Sequence, residues 1–101
     1  KNFSINSRIK IKNFILDKNE KKLIKDKNYI ILTEKEIQLL ELFYNSKEIV
    51  SKTFILKYVW KYSKEADTHT VETHIYRLRK KIKEKFNDDK FIINNQKGYY
   101  I

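Results

Sequence analysis

Asp67-Thr68-His69-Thr70-Val71-Glu72-Thr73-His74-Ile75-Tyr76-Arg77-Leu78-Arg79-Lys80-Lys81-Ile82-Lys83-Glu84-Lys85 carries two faces at helical spacing. Val71, Ile75, Leu78 and Ile82 recur at steps of four, three and four, the buried stripe of an amphipathic helix. At about 100° per residue, His69, Thr73, Tyr76, Arg77, Lys80 and Glu84 lie opposite that stripe. Arg79, Glu72 and Lys83 flank one edge, and Thr70, His74 and Lys81 the other. Asp67 or Thr68 caps the start, and Asn87-Asp88-Asp89 ends the pattern. A merely solvated outer face would carry plain Lys and Glu. Here Thr, His, Tyr and Arg crowd it, the donors, ring and cations that a helix brings to a DNA major groove.

Upstream, Thr33-Glu34-Lys35-Glu36 is a capping box: Thr33 accepts from the Glu36 amide and Glu36 reaches back. Ile37, Leu40 and Tyr44, with Leu39 and Phe43, follow at helical spacing to about Asn45. Ile49-Val50 is an extended link, and Ser51 caps a second helix that turns Ile55, Leu56, Val59 and Trp60 inward. Lys61 to Ala66 is a polar loop. Residues 9–31 read as short strands: Ile9 and Ile11, then Phe14-Ile15-Leu16, Leu23-Ile24 and Tyr29-Ile30-Ile31-Leu32. Polar clusters separate them, an antiparallel meander. Without Pro or Gly in this stretch, Asn and Asp are expected to supply the turns. Downstream, Phe91-Ile92-Ile93 and Tyr99-Tyr100-Ile101 pair as a hairpin. Gly98, the single glycine of the chain, marks a backbone position needing positive φ or close packing.

The chain has 101 residues, one domain's worth, and 41% apolar residues, enough for a core without staples. There is no cysteine, which removes disulfides, thiolate metal sites and cysteine nucleophiles. No apolar run approaches membrane-spanning length and no signal peptide opens the chain, so a cytoplasmic protein away from membranes is expected. Net charge is +10, which points to a polyanionic partner. Residues 1–32 carry nine Lys/Arg and three Asp/Glu, residues 33–67 six of each, and residues 68–101 eight and four. Lysine is abundant throughout, in a chain also rich in Ile and Asn, so it discriminates little. Arginine is rarer: only Arg8, Arg77 and Arg79, two of them on one helix. Its planar fork suits guanine and phosphate.

Leu32-Thr33-x-x-Glu36-x-x-Leu39-Leu40, Val50-Ser51, Val59-Trp60, Thr70-Val71-Glu72-x-His74-Ile75-x-Arg77-Leu78-Arg79-Lys80-Lys81-Ile82 and Gly98-Tyr99 together resemble the C-terminal effector domain of OmpR/PhoB-type response regulators. The resemblance runs from about residue 9 to 101. It implies an α+β winged helix-turn-helix: an N-terminal four-stranded antiparallel sheet (9–32), a three-helix core (33–86) and a C-terminal hairpin wing (90–101). Residues 1–101 form one domain, with about 1–8 the remnant of a linker from a receiver domain.

By the same resemblance the helix 67–85 enters the major groove of double-stranded DNA and the wing reaches the adjacent minor groove. Arg77, Thr73, Tyr76 and His69 are implied at base edges. Arg79, Lys80, Trp60, Thr70, Lys81 and Tyr99 are implied at phosphates, and His74 as half-buried and directed at backbone. The loop 61–66 is implied to face RNA polymerase. A receiver domain and a sensor kinase are implied in the full-length protein, with two copies in tandem on DNA.

Two departures from the family pattern affect the site. Asn95-Gln96-Lys97-Gly98-Tyr99 replaces the usual Arg-Gly-x-Gly-Tyr, leaving Lys97 or Asn95 at the minor groove, where Lys fits a narrow groove less well than Arg. Lys61 replaces the usual Gly after Trp60, so the loop is expected to leave its helix differently.

Other chemistries fit poorly. His69, Glu72 and His74 scatter around the helix at offsets of three and five, so no metal site and no cofactor are expected. There is no Gly-rich phosphate loop, no supported nucleophile triad and no paired carboxylates in an apolar setting, so an enzyme is not expected. The competing reading is a winged-helix protein-interaction module, docking a receiver domain or RNA polymerase without DNA readout. It would not require Tyr76, Arg77 and Lys80 to share an exposed face beside the hairpin.

Overall fold

A computed structural model describes residues 8–61 and 63–101. The order is β1 (Arg8–Ile11), β2 (Phe14–Asp17), β3 (Lys22–Lys25), β4 (Asn28–Ile31), α1 (Glu34–Asn45), α2 (Lys52–Trp60), α3 (Thr68–Phe86), β5 (Ile93–Asn95) and β6 (Gly98–Tyr100). The first four strands form an antiparallel meander and the last two a separate hairpin, as expected for an α+β winged helix. The expected linker at about 1–8 lies outside the described residues except for Arg8, which opens β1.

Register explains which side of the sheet meets the helices. Ile9, Leu16, Leu23 and Ile30 stand opposite one another across the four strands. This row faces the core, with Leu16 and Leu23 fully buried and Ile9 and Ile30 packed at its margin. Ile15, Ile24 and Tyr29 form the alternate row on the outer face.

The turns differ from expectation. Positive φ falls on Lys12, Lys21 and Asp26, so lysine supplies two of the three left-handed corners assigned to Asn and Asp. Lys12 is held there by its own side chain. Its ammonium donates to Phe91 O at 2.8 Å and to Lys90 O at 3.2 Å, and lies 5.1 Å from the Phe91 ring centroid. Burial lowers its pKa, against a smaller opposing pull from Asp88.

Phe91 and Ile92 were expected in the wing's first strand. They are buried core residues instead, and the strand begins only at Ile93. Phe91 packs edge-on against Phe14, with ring centroids 4.7 Å apart, and Phe14 also meets Phe86 at 4.9 Å. These three rings clamp the sheet to the C-terminal end of α3, and burial takes precedence over strand pairing at 91–92.

The helices begin and end as their caps dictate. Thr33 and Glu36 complete the capping box of α1, with Glu36 N to Thr33 Oγ1 at 3.2 Å and Thr33 N to Glu36 Oε1 at 2.9 Å. On α1 Leu42 is buried where Tyr44 was expected, and Tyr44 is exposed. Ser51 caps α2. Its last residue is followed by Lys61 at φ 52, so the position where glycine is usual keeps the left-handed conformation with a lysine. α3 lies at the centre, burying Val71, Ile75, Leu78 and Ile82.

Candidate nucleic-acid interface

Asp67 starts α3. Its Oδ1 accepts from Thr70 N at 3.0 Å, and Thr70 Oγ1 accepts from Asp67 N at 3.2 Å. The Thr70 amide bond is the main cause that holds the Asp67 carboxyl below its usual range. At the far end Lys83 and Lys85 occupy the last turn, where cations complement the helix dipole. Between these ends the apolar stripe is fully sequestered, which fixes the rotation of the helix and hence the face it shows.

That face carries Tyr76, Arg77 and Lys80, all exposed, with Tyr76 at 66%. Thr73 lies half-buried beside them, and His69 is exposed one turn earlier. His69 Nδ1 is 3.7 Å from Glu72 Oε1. Glu72 is paired with Lys52 of α2, an ion pair that holds α2 against α3. The Lys52 hydrogen bond lowers the Glu72 pKa and raises that of Lys52.

His74 lies on the flank as a half-buried, backbone-directed residue. Its Nδ1 is 3.0 Å from Thr70 O. A carbonyl only accepts, so Nδ1 carries the proton. The ring meets Trp60 edge-on at 4.9 Å. Trp60 is itself half-buried at the end of α2.

The wing sits beside this face. Arg79 Nη1 donates to Asn94 Oδ1 at 3.2 Å. Tyr99 is buried, and it pairs with Val50 through Val50 N to Tyr99 O at 2.8 Å and Tyr99 N to Val50 O at 2.9 Å. Burial raises the Tyr99 phenol pKa, with Lys52, Glu72 and Arg79 as smaller influences of both signs. Gly98 satisfies both of its expected conditions. Its φ is +151°, and a Cβ there would fall 2.1 Å from Val50 O.

Some expected DNA ligands are engaged inside the domain. Lys81 Nζ donates to Ile31 O and to Glu36 Oε1, each at 2.8 Å, and Glu36 is buried. Asn95 Oδ1 accepts from Lys97 N at 2.8 Å and from Gly98 N at 3.3 Å, so it shapes the wing turn. Thr70 closes the helix cap. Lys97 is exposed at the wing tip. Sequence reasoning missed Lys52, Asn94 and Glu36 as organisers of the site. The first two act across 20 and 15 residues, a separation no local pattern reports.

A family model described as "Transcriptional regulatory protein, C terminal" matches residues 26–101, from the last turn of the meander through the wing. The chain belongs to this family. It is a DNA-binding output domain of the response-regulator class, and the family is not one of enzymes. Among relatives, a probable transcriptional regulator ycf27 of Galdieria sulphuraria is 38% identical over 89 residues, covering 85% of this chain and 35% of that protein. The transcriptional regulatory protein HprR of Escherichia coli (strain K12) is 32% identical over 97 residues, covering 95% of this chain and 44% of that protein. This chain therefore spans less than half the length of these relatives. Among solved structures, the C-terminal domain of the nisin resistance regulator NsrR, a lantibiotic response regulator, superposes with a TM-score of 0.73 at 28% identity. It covers 90% of this chain and 93% of that one. Among the described residues no helix is long and apolar enough to cross a membrane.

Proposed function

We propose that this domain reads a specific double-stranded DNA site with α3 in the major groove and the β5–β6 wing against the neighbouring minor groove. The observation that carries this reading is the placement of Tyr76, Arg77 and Lys80 on one exposed face of α3, with the wing fastened beside it by Arg79 and Asn94. Arg77 is the principal base reader, its guanidinium suited to the two acceptors of guanine. Thr73, Tyr76 and His69 contact neighbouring base edges. Lys80 and Trp60 hold phosphates. Arg79, Lys81 and Thr70 support the interface mainly by fixing the wing, the sheet and the helix cap. Lys97 serves as the wing's cation, and Tyr99 anchors the wing root.

Within a full-length regulator, we further propose a receiver domain phosphorylated by a sensor kinase, tandem binding of two copies to direct repeats, and contact of the 61–66 loop with RNA polymerase in the cytoplasm. The relatives' greater length supports additional domains. A docking module without DNA readout would not need so many cations around Tyr76.

Selection of duplexes from a random pool with this domain, followed by binding titrations across salt, tests the reading. A consensus should emerge, and log affinity should fall linearly with log salt at about 0.9 per phosphate contacted. Flat binding across that range, or no consensus, would overturn it.

A further inference from the structure

An open groove of about 620 Å³ runs between the start of α1 and the middle of α3, lined by Lys35, His74, Arg77, Lys80 and Glu84 among others. Its charges are unbalanced. Glu34 on its rim is paired with Lys21 at 2.9 Å, and Glu36 is paired with Lys81 at 2.8 Å. Lys35, Arg77 and Lys80 have no carboxylate partner among the described residues, and Glu84 alone stands against them. Three cations against one carboxylate leave the groove with an excess of positive charge, an arrangement relieved when an anion enters.

Lys35 is held ready for this. Its ammonium donates to Val59 O at 3.2 Å and lies 5.7 Å from the centroid of the Trp60 ring. An ammonium has three N–H donors, so the Val59 carbonyl leaves two for another acceptor. The single long bond and the ring fix the stem without neutralising the charge. Trp60 in turn abuts His74 of α3, so Lys35 belongs by contact to the same surface as the reading helix.

We infer that Lys35, on a helix outside the helix-turn-helix pair, is a further phosphate ligand that grips the DNA backbone beside Trp60. This rests on the DNA reading above. The contact is indifferent to sequence, since it meets phosphate rather than base. It fixes the depth and tilt at which Arg77 enters the groove.

The test is Lys35→Met, which keeps an apolar stem over Trp60 and removes only the charge, compared with Lys35→Arg and the wild type. The probes are a duplex selected by the wild type and a scrambled duplex of equal length. The slope of log affinity against log salt should fall by about 0.9 for Lys35→Met. Affinity for both duplexes should fall by the same several-fold factor, and Lys35→Arg should restore both. Thermal melting monitors the role through Val59 separately, because that role would lower the melting temperature and leave the salt slope unchanged. An unchanged slope in Lys35→Met, with wild-type binding intact, overturns the assignment of Lys35 alone. Failure of the wild type to bind either duplex overturns both the assignment and the function on which it rests.

Discussion

Arg79 Nη1 donates to Asn94 Oδ1 at 3.2 Å, joining the reading helix to the first strand of the wing. The bond is exposed, so it adds little to global stability. Its effect is on angle: it ties β5 to α3 directly, beside the Tyr99–Val50 pairing and the buried Phe91 and Ile92 that root the hairpin. Asn94→Ala should therefore lower unfolding free energy by less than about 1 kcal/mol. Amide exchange at Ile93–Tyr100 should quicken, and DNA affinity should fall more than stability. Unaltered wing exchange would show that the bond does not orient the hairpin.

Arg77 and Lys80 lie one turn apart but should behave differently. Arg77→Ala should cost on the order of 1–3 kcal/mol of discrimination between the selected site and a site changed at one base. Lys80→Ala should weaken all duplexes alike and flatten the salt slope by about one unit. Equal losses of discrimination from both would mean that base reading is assigned to the wrong side chain.

At the wing tip, Asn95 and Lys97 divide the labour. The Asn95 carboxamide is occupied with the amides of Lys97 and Gly98, whereas Lys97 is exposed. Asn95→Ala should loosen the turn, at about 0.5–1.5 kcal/mol for the lost hydrogen bonds, with a small change in affinity. Lys97→Ala should leave stability intact and reduce both affinity and salt slope. The reverse pattern in parallel melting and binding measurements would exclude this division.

Gly98 admits no side chain. An alanine Cβ would sit 2.1 Å from Val50 O and 2.9 Å from Ser51 Cα, both backbone atoms that cannot rotate away. Gly98→Ala should destabilise by about 3 kcal/mol or more in chemical denaturation, since overpacking and an unfavourable φ act together. A near-neutral effect would require the link at Val50 to be far more yielding than its two hydrogen bonds with Tyr99 imply.

Acid should loosen α3 at its start. Hydrogen bonding to Thr70 places the folded Asp67 pKa below its ordinary 3.8, and pairing with Lys52 places that of Glu72 below 4.5. Lowered carboxylate values mean stabilisation that is present above the unfolded pKa and lost as pH falls through the folded one. Melting midpoints taken from about pH 5 to pH 2 should fall, and the fall should be shallower in Glu72→Gln. The Lys52 contribution has the opposite sign. Its raised pKa means that the same pair, once Glu72 is ionised, is lost at the alkaline end as pH rises through the folded Lys52 value. A Glu72→Gln profile as steep as the wild type would remove this pair from the acid response.

Much of this fold is legible in local pattern because its organising signals are short in range. The Thr33–Glu36 box, the Ser51 cap and the stripe Val71, Ile75, Leu78, Ile82 each act within one element, and each lies where its spacing puts it. Position 44 misleads because Tyr44 satisfies the helical period as well as a core residue would, and only the packed neighbours decide for Leu42. Phe91 and Ile92 read as strand because β-branched and aromatic residues suit strands. The burial of Phe91 depends on Phe14, far away in the chain. The exposed candidates on α3 were legible from the wheel. The engagement of Lys81 was not, because Glu36 is 45 residues distant and itself reads as a cap. Lys12 was hidden for a similar reason: its corner is stabilised by carbonyls of residues 90 and 91.

The Glu36–Lys81 pair has a mechanical consequence. Glu36 closes the cap of α1, Lys81 projects from α3, and the same ammonium grasps the last carbonyl of β4. Meander, first helix and reading helix thus meet at one rivet with no slack loop between them. A displacement of the sheet would therefore reach α3 directly through Lys81, without passing through a loop.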